Sequence, residues 1–331
     1  EEFGMNTIFF QVRPSNDAFY ESELNPWSQF LVGSGVHPGW DPLEWMIDET
    51  HKRGFSFMCW MNAFRVTTET YVTNGSALSL PVSELVQMKH DALANLAEGN
   101  FAKEHPEYVI AGSYDEKLIL NPSEPAVQKF IVDTIMEIVE NYDVDAIHFD
   151  DYFYPGSGHK QYKKYASLSN KQKKANVNKM VQTVYGNIKA QNPNLLFGIS
   201  PAGNVEYCES LGADVKTWMK GPGYVDYIAP QIYWSNSYRV GKKTVRMFDN
   251  RFAKWKRLNK GNIPMYIGLA LYRGGMKDAS DRGWRKSKKI IASQISKIRR
   301  SEKDVCRIRS RHRQGDCGAE RNSRQRALLA G

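Results

Sequence analysis

The chain has 331 residues, of which 41% are hydrophobic, enough to form one large α/β barrel or two ordinary domains. No run of 18 uninterrupted apolar residues occurs, so no membrane span is predicted, and the opening residues EEFGMNTIFF lack the basic start and cleavage site of a signal peptide. The four cysteines form neither a CxxC nor a CxxxC pair, so neither a zinc knuckle nor a disulfide framework is indicated.

The net charge of +9 is concentrated at the end of the chain. Residues 304–331 contain seven arginines against three acidic residues, a net charge of +4, and the rest of the chain is only mildly basic. A basic chain invites a nucleic-acid interpretation, but here its main support is this short tail. We therefore predict no nucleic-acid partner.

Six units, each a strand followed by a helix, succeed one another along the chain. The strands are predicted at residues 7–13, 55–64, 144–151, 196–200, 227–234 and 265–272. Seven helices are predicted, because two of them follow the second strand: they lie at about residues 41–53, from 83 onward, and at about 124–141, 171–191, 214–220, 244–258 and 282–300. The first helix begins at Asp41-Pro42, with Asp as the cap and Pro at the first helical position.

Repeated strand-helix units imply parallel strands joined by right-handed crossovers, as in a TIM-type (β/α)8 barrel. Eight units are needed and about six are present, so we expect an incomplete barrel at residues 1–302 that lacks the first and last strands. An open barrel exposes two unpaired edges, and we therefore expect the chain as given to be poorly stable and largely inactive.

The tail at residues 303–331 has little aromatic or β-branched content and no periodicity. Two interpretations stay open: a disordered nucleic-acid arm, or a segment translated out of frame. We favour the second, because the Arg-rich composition resembles nothing upstream. Sequencing the DNA across codons 300 to 310 distinguishes them.

The stretch VDAIHFDDYFYP, at residues 144–155, combines a buried strand with two aspartates. Successive strand side chains alternate between faces, so Ala146, His148 and Asp150 share one face and Asp151 belongs to the other. Sites of parallel barrels lie at the carboxyl ends of the strands. We therefore expect Asp150 at the mouth of the barrel.

Polar residues recur near the carboxyl ends of several predicted strands, namely Gln11, Arg13, Asn62, Gln231 and Tyr233. Aromatic residues that are able to stack on sugar faces accompany them, namely Trp27, Trp60, Tyr152, Tyr154, Trp234 and Tyr272. Their convergence on one rim predicts a sugar-binding surface, although each aromatic is equally explained as part of the core.

Long ordered segments between about Asn6 and Arg300 resemble the glycoside-hydrolase-like family GHL10. They are FFQVRPSNDAFYESELNPWSQFLVGSGVHPGWDPLEWMIDETHKRG, WMNAFRV, LNPSEPAVQKFIVDTIMEIVENYDVDAIHFDDYFYP, FGISPAGN and PQIYW. The resemblance implies a TIM-barrel glycoside hydrolase of the bacterial envelope, with peptidoglycan glycan strands as the favoured substrate. It also implies a secreted, periplasmic or lipid-anchored location.

Glycoside hydrolysis uses two carboxyl groups, a proton donor and a nucleophile or base. Asp150 is the favoured catalytic residue, and Asp151 is either its partner or a carboxylate that braces the loop. The loop residues Asp17 and Glu206 are further candidates, for chemistry or for substrate binding. His148 either holds a substrate hydroxyl and tunes Asp150, or is structural.

Two rival functions use the same barrel. A metal-dependent deacetylase or hydrolase needs a His/Asp cluster, whereas the seven histidines here are scattered. A non-catalytic glycan-binding barrel would bind oligosaccharide and never cut it. We predict a hydrolase that needs neither a metal nor a cofactor.

Overall fold

A computed structural model describes residues 4–72, 79–111, 117–155, 168–286, 289–312 and 327–330. The chain divides into two compact units. The first comprises Glu1–Gly198, Glu209–Asp214 and Gly223–Val225, and the second comprises Ile199–Cys208, Val215–Pro222 and Asp226–Gly331.

The first unit is built on parallel strands that alternate with helices. Its strands are β1 (Thr7–Arg13), β2 (Ser56–Met61), the antiparallel pair β3 (Val109–Ala111) and β4 (Leu118–Leu120), β5 (Ala146–Phe149), and β6 (Leu196–Ile199), which ends at the unit boundary. In the main sheet the order is β1-β2-β5-β6, and β2 is parallel to both β1 and β5. The predicted parallel α/β class is confirmed.

Helices that pack around this sheet begin and end largely where the sequence predicts. They are α1 (Pro42–Lys52), α2 (Val82–Ala94), α3 (Phe101–Glu104), α4 (Pro125–Asn141) and α5 (Asn170–Gln191). The Asp41 carboxylate caps α1 by accepting from the backbone N–H of Leu43 at 2.8 Å. The apolar side of α4 is buried, because Val127, Phe130, Ile131, Ile135 and Ile138 recur at helical spacing.

The strand register aligns the polar face of the sheet. Gln11 on β1 lies opposite Trp60 on β2, and Trp60 lies opposite His148 on β5. Side chains of the same face recur every second residue, so the next positions on β2 and β5 are Asn62 and Asp150. The register therefore brings the ends of these strands together at one place.

The second unit combines short strands with helices of very different length. They are α6 (Val205–Ser210), α7 (Val215–Trp218), β7 (Tyr227–Ile228), the hairpin β8 (Tyr238–Val240) and β9 (Lys243–Val245), α8 (Met247–Leu258), β10 (Ile267–Ala270), α9 (Gly283–Lys286), α10 (Ile290–His312) and β11 (Ala327–Ala330). The strand β11 runs parallel to β10. Among the described residues, no helix combines the length and apolar character needed to cross a bilayer.

Two parts of the second unit differ from the sequence-based expectation. The strand predicted at 227–234 is only two residues long, because Pro230 has no N–H to donate to a strand ladder. The helix predicted to end at Arg300 continues to His312, since neither Gly nor Pro interrupts the sequence there. Helix α10 therefore extends across the predicted boundary at 302/303, and strand β11 lies in the tail, where no closing strand was expected. The division into these two domains stays a prediction.

Candidate active site

Asp150 lies directly after β5 and is only 6% exposed. The amide of Asn62, with its nitrogen directed to this acceptor, donates to Asp150 Oδ1 at 2.7 Å. In the same orientation the Asn62 oxygen accepts from Gln11 Nε2 and, at 2.8 Å, from Arg65 Nη1. The predicted site residues Gln11, Asn62 and Asp150 are therefore in one hydrogen-bonded cluster.

Arg65 completes this cluster from the loop after β2. Its Nη2 lies 3.5 Å from Asp150 Oδ2, and its guanidinium carbon lies 4.4 Å from the centre of the Tyr152 ring. The Tyr152 backbone N–H donates to Asp150 Oδ1 at 3.2 Å. Arg65 was not among the residues predicted from the sequence, although its position three residues after Asn62 in WMNAFRV was a usable signal.

The Asp150 carboxyl holds its proton unusually tightly. Burial and, to a lesser extent, the neighbouring Asp151 carboxylate together raise its pKa from 3.8 to about 8, against the opposing effect of Arg65. Desolvation is the larger effect. At neutral pH this carboxyl is therefore mostly protonated and able to act as an acid.

Trp60 and His148 lie on the same face, nearer the middle of the sheet. The Trp60 indole N–H is buried close enough to Asp150 to lower that pKa, yet it forms no hydrogen bond of normal geometry with a described residue. His148 packs edge-on against Phe9, with ring centres 4.8 Å apart, and burial lowers its pKa to about 3. The imidazole is consequently neutral, which makes it a packing or hydrogen-bonding group and not a cation.

Arg13 does not reach a substrate surface, contrary to the prediction. It is 1% exposed, and its guanidinium donates to Asn25 Oδ1 at 3.0 Å and to the backbone oxygens of Asn62 and Ala63 at 2.9 and 3.2 Å. These bonds tie the loop after β1 to the end of β2. Arg13 is therefore a positioning residue that holds Asn62 beside Asp150.

Asp17 is also buried, at the base of the loop after β1. It accepts from Ser28 Oγ at 2.6 Å and from the Ser15 backbone N–H at 2.8 Å. Burial raises its pKa, and these hydrogen bonds oppose the rise. The structure gives it no contact with Asp150, so it is not brought to the predicted catalytic cluster.

The remaining predicted residues lie in the second unit. Gln231 Nε2 donates to the Ser200 backbone oxygen at 2.9 Å, and the rings of Tyr233 and Tyr272 meet edge-on with centres 6.0 Å apart. Tyr272 is 52% exposed and presents an aromatic surface to solvent. Glu206 instead forms ion pairs with Arg251, at 3.6 Å, and with Lys254.

The parts of the chain that the structure describes hold no group of three or more His, Cys, Asp or Glu side chains arranged to bind a metal ion. What they do hold is a buried, protonated carboxyl surrounded by an amide, a guanidinium and aromatic rings. A protonated carboxyl held in this way is able to donate a proton.

Two curated relatives are similar to this chain in sequence. Glycosyl hydrolase YngK of Bacillus subtilis (strain 168) is 36% identical over 303 residues, which cover 82% of this chain and 54% of the relative. Glycosyl hydrolase DigH of Escherichia coli (strain K12) is 32% identical over 317 residues, 86% of this chain and 66% of the relative. The chain thus spans between half and two thirds of the length of these relatives.

Among solved structures, a cycloisomaltooligosaccharide glucanotransferase of Paenibacillus sp., crystallised with cycloisomaltoheptaose, superposes with a TM-score of 0.50 at 12% identity. The likeness covers 82% of this chain and 35% of that one, and it supports the fold alone, a parallel α/β fold of the TIM-barrel type. The family Glycosyl hydrolase-like 10 matches residues 1–286, so the chain belongs to this glycoside-hydrolase-like family, as the sequence motifs predict.

Proposed function

We propose that this protein hydrolyses O-glycosidic bonds, with Asp150 as the proton donor. The observation that supports the proposal is a carboxyl at the end of a parallel strand whose pKa is raised to about 8 by burial. A general acid works best when its pKa lies near the working pH. The family and both curated relatives carry the glycosyl hydrolase name.

In the proposed reaction the Asp150 proton passes to the glycosidic oxygen as the bond from that oxygen to the anomeric carbon breaks. The bonding electrons stay on the leaving oxygen, and positive charge develops on the sugar. Asp151, the adjacent acidic residue, is the proposed second carboxylate. It either attacks the anomeric carbon or removes a proton from the attacking water.

Asn62 and Arg65 stabilise the Asp150 carboxylate once its proton has left. The amide N–H and the guanidinium then face a full negative charge, and both interactions strengthen because the site is buried. Tyr152 holds the Arg65 guanidinium against its ring face, and Gln11 fixes the Asn62 amide. These contacts keep the acid in place through the catalytic cycle.

The proposed substrate is the glycan strand of bacterial peptidoglycan or a related wall polysaccharide, and the proposed location is the cell envelope, with the protein secreted, periplasmic or lipid-anchored. The support is the family resemblance. An uncharged acid flanked by aromatic rings fits sugar rings, whose hydroxyls need hydrogen bonds and whose C–H faces stack on aromatics.

The experiment measures glycan release from denuded and from intact peptidoglycan by three proteins: the wild-type protein, Asp150→Asn and Asp143→Asn. Asp150→Asn should lower kcat about a thousandfold, because the amide keeps the size of the carboxyl but cannot donate a proton in its place. Asp143→Asn, a change at a 96% exposed carboxylate of the same unit, is the matched control and should be fully active.

Near-normal turnover by Asp150→Asn would remove Asp150 from the mechanism. Oligosaccharide that binds to the wild-type protein and is never cut would favour the non-catalytic glycan-binding alternative instead.

A further inference from the structure

A pocket of about 680 Å³ opens on the second unit, on the segment that joins β10 to α9 and on α9 itself. The described residues that line it are Lys277, Asp278, Ala279, Arg282 and Arg285. Three of these five residues are cations and one is a carboxylate. We name this feature the Arg282 pocket.

The Asp278 carboxylate is already engaged inside its own loop. Its Oδ1 accepts from the Ser280 hydroxyl at 2.6 Å and from the backbone N–H groups of Ser280 and Asp281 at 2.7 and 3.1 Å. Its Oδ2 forms an ion pair with Arg273 Nη2. The hydrogen bonds from Ser280 lower the pKa of Asp278, so this carboxyl is ionised and its charge is balanced by Arg273.

The three cations of the pocket have no such partner. Lys277, Arg282 and Arg285 are exposed, and none of them forms an ion pair with a carboxylate in the part of the chain that the structure describes. Other cations of this unit do pair, as Lys297 does with Asp249 at 2.7 Å. Like charges that line one pocket repel each other, and a bound anion would replace that repulsion with attraction.

Buried contacts hold the backbone that carries these cations. The fully buried Asp281 carboxylate accepts from the Ser235 N–H at 2.8 Å and from the Trp284 indole N–H at 3.0 Å. The Gly275 N–H donates to the Trp284 backbone oxygen at 3.0 Å, which closes the segment on itself. At Gly283 a Cβ would collide with Ser235 Oγ. The backbone is thus fixed, and only the side chains of the cations have to be ordered when a ligand binds.

A phosphate monoester matches this set of cations. It carries a charge of about −1.5 to −2 at pH 7 and three strong acceptor oxygens. Guanidinium groups donate two parallel hydrogen bonds to phosphate oxygens, and a lysine ammonium adds a point charge. A carboxylate has one charge and two oxygens, which a single arginine is able to satisfy. The volume also leaves room for the molecule that carries the phosphate, since small-molecule sites typically measure about 300–1,000 Å³.

We propose that the Arg282 pocket binds the phosphate monoester group of a small molecule. Arg282 and Arg285 donate to the phosphate oxygens, and Lys277 supplies the third positive charge. Phosphate binding here does not depend on glycan hydrolysis, because the pocket lies entirely within the second unit and Asp150 belongs to the first.

The test is calorimetric titration of the full chain at low ionic strength with inorganic phosphate, glycerol 3-phosphate, acetate and glycerol. Both phosphates should bind, acetate should bind about tenfold more weakly or worse, and glycerol should not bind. Arg282→Gln and Arg285→Gln should each weaken glycerol 3-phosphate binding about fivefold, and Lys277→Gln about threefold, because each change removes one charge. Arg257→Gln, at an exposed arginine of the same unit outside the pocket, is the matched control and should bind as the wild-type protein does.

Glycerol 3-phosphate that fails to bind, or that binds the three pocket variants as tightly as the wild-type protein, would overturn the site. Acetate that binds as tightly as phosphate would overturn the selectivity for phosphate. An equal loss in Arg257→Gln would show that net charge governs binding in place of this pocket. All four side chains are exposed, and circular dichroism verifies that each variant is folded. An Asp150→Asn protein that still cuts glycan refutes the proposed acid and leaves these binding results unchanged.

Discussion

Replacing Asp150 by Asn should stabilise the protein more strongly as the pH rises. The pKa of the Asp150 carboxyl is about 8 in the folded state and near the ordinary 3.8 in the unfolded state. Between these values the folded chain holds one proton more than the unfolded chain, so the free energy of unfolding falls by about 1.4 kcal/mol per pH unit. Asn does not titrate and lacks this dependence.

The magnitude follows from that slope. From about pH 5 to about pH 7, the free energy of unfolding of Asp150→Asn should rise by about 3 kcal/mol relative to the wild-type protein. The asparagine amide occupies the space of the protonated carboxyl and still accepts from Asn62 and Tyr152, so the comparison is not confounded by a cavity. Titrations elsewhere in the chain cancel in the difference.

Urea unfolding of both proteins at three pH values, followed by circular dichroism and tryptophan fluorescence, gives this difference. Asp143→Asn is the control, and its difference from the wild-type protein should not change by more than about 0.5 kcal/mol over the same range. A difference for Asp150→Asn that is equally independent of pH would show that Asp150 is ionised throughout, and the reasoning from burial would be refuted.

Three further changes test the surroundings of Asp150 and the second unit. Arg65→Met removes the cation that lowers the Asp150 pKa, so the alkaline limit of activity, measured as kcat/KM against pH, should move to higher pH. Arg13→Met leaves buried backbone oxygens without donors and should lower the free energy of unfolding by about 3 kcal/mol in urea denaturation, whereas Arg246→Met, at an exposed ion pair, should change it by less than about 1 kcal/mol. Asp281→Ala should destabilise the chain by about 2 kcal/mol in the same assay, because this fully buried carboxylate accepts from the Ser235 and Trp284 N–H groups.

Much of the fold is predictable from local sequence signals. The first strand has the predicted bounds, Thr7–Arg13, and the Asp41-Pro42 start and the apolar spacing of residues 125–141 identify two helices. Strand alternation also places Asn62 and Asp150 on one face, and the parallel register then brings them into contact. The spacing of apolar residues and the capping of helices are local properties, so a single sequence is sufficient to recognise them.

The site is less predictable because burial depends on distant contacts. Arg13 resembles a substrate-binding residue at a strand end, but acceptors at Asn25, Asn62 and Ala63 enclose it, and no spacing rule reveals partners 12 to 50 residues away. The pKa of Asp150 likewise depends on desolvation by the folded chain. The short β7 is a different case. Pro230 indicates an interrupted strand, but the apolar residues around it favour a strand over the whole of 227–234.

The most direct test of the central claim, that Asp150 donates the proton for glycan cleavage, is the pH profile of kcat/KM on denuded glycan strands. A protonated acid with a pKa of about 8 predicts activity that is retained at neutral pH and falls about tenfold per pH unit above pH 8. Activity that stays constant from about pH 6 to about pH 10 in a protein that remains folded would contradict the claim.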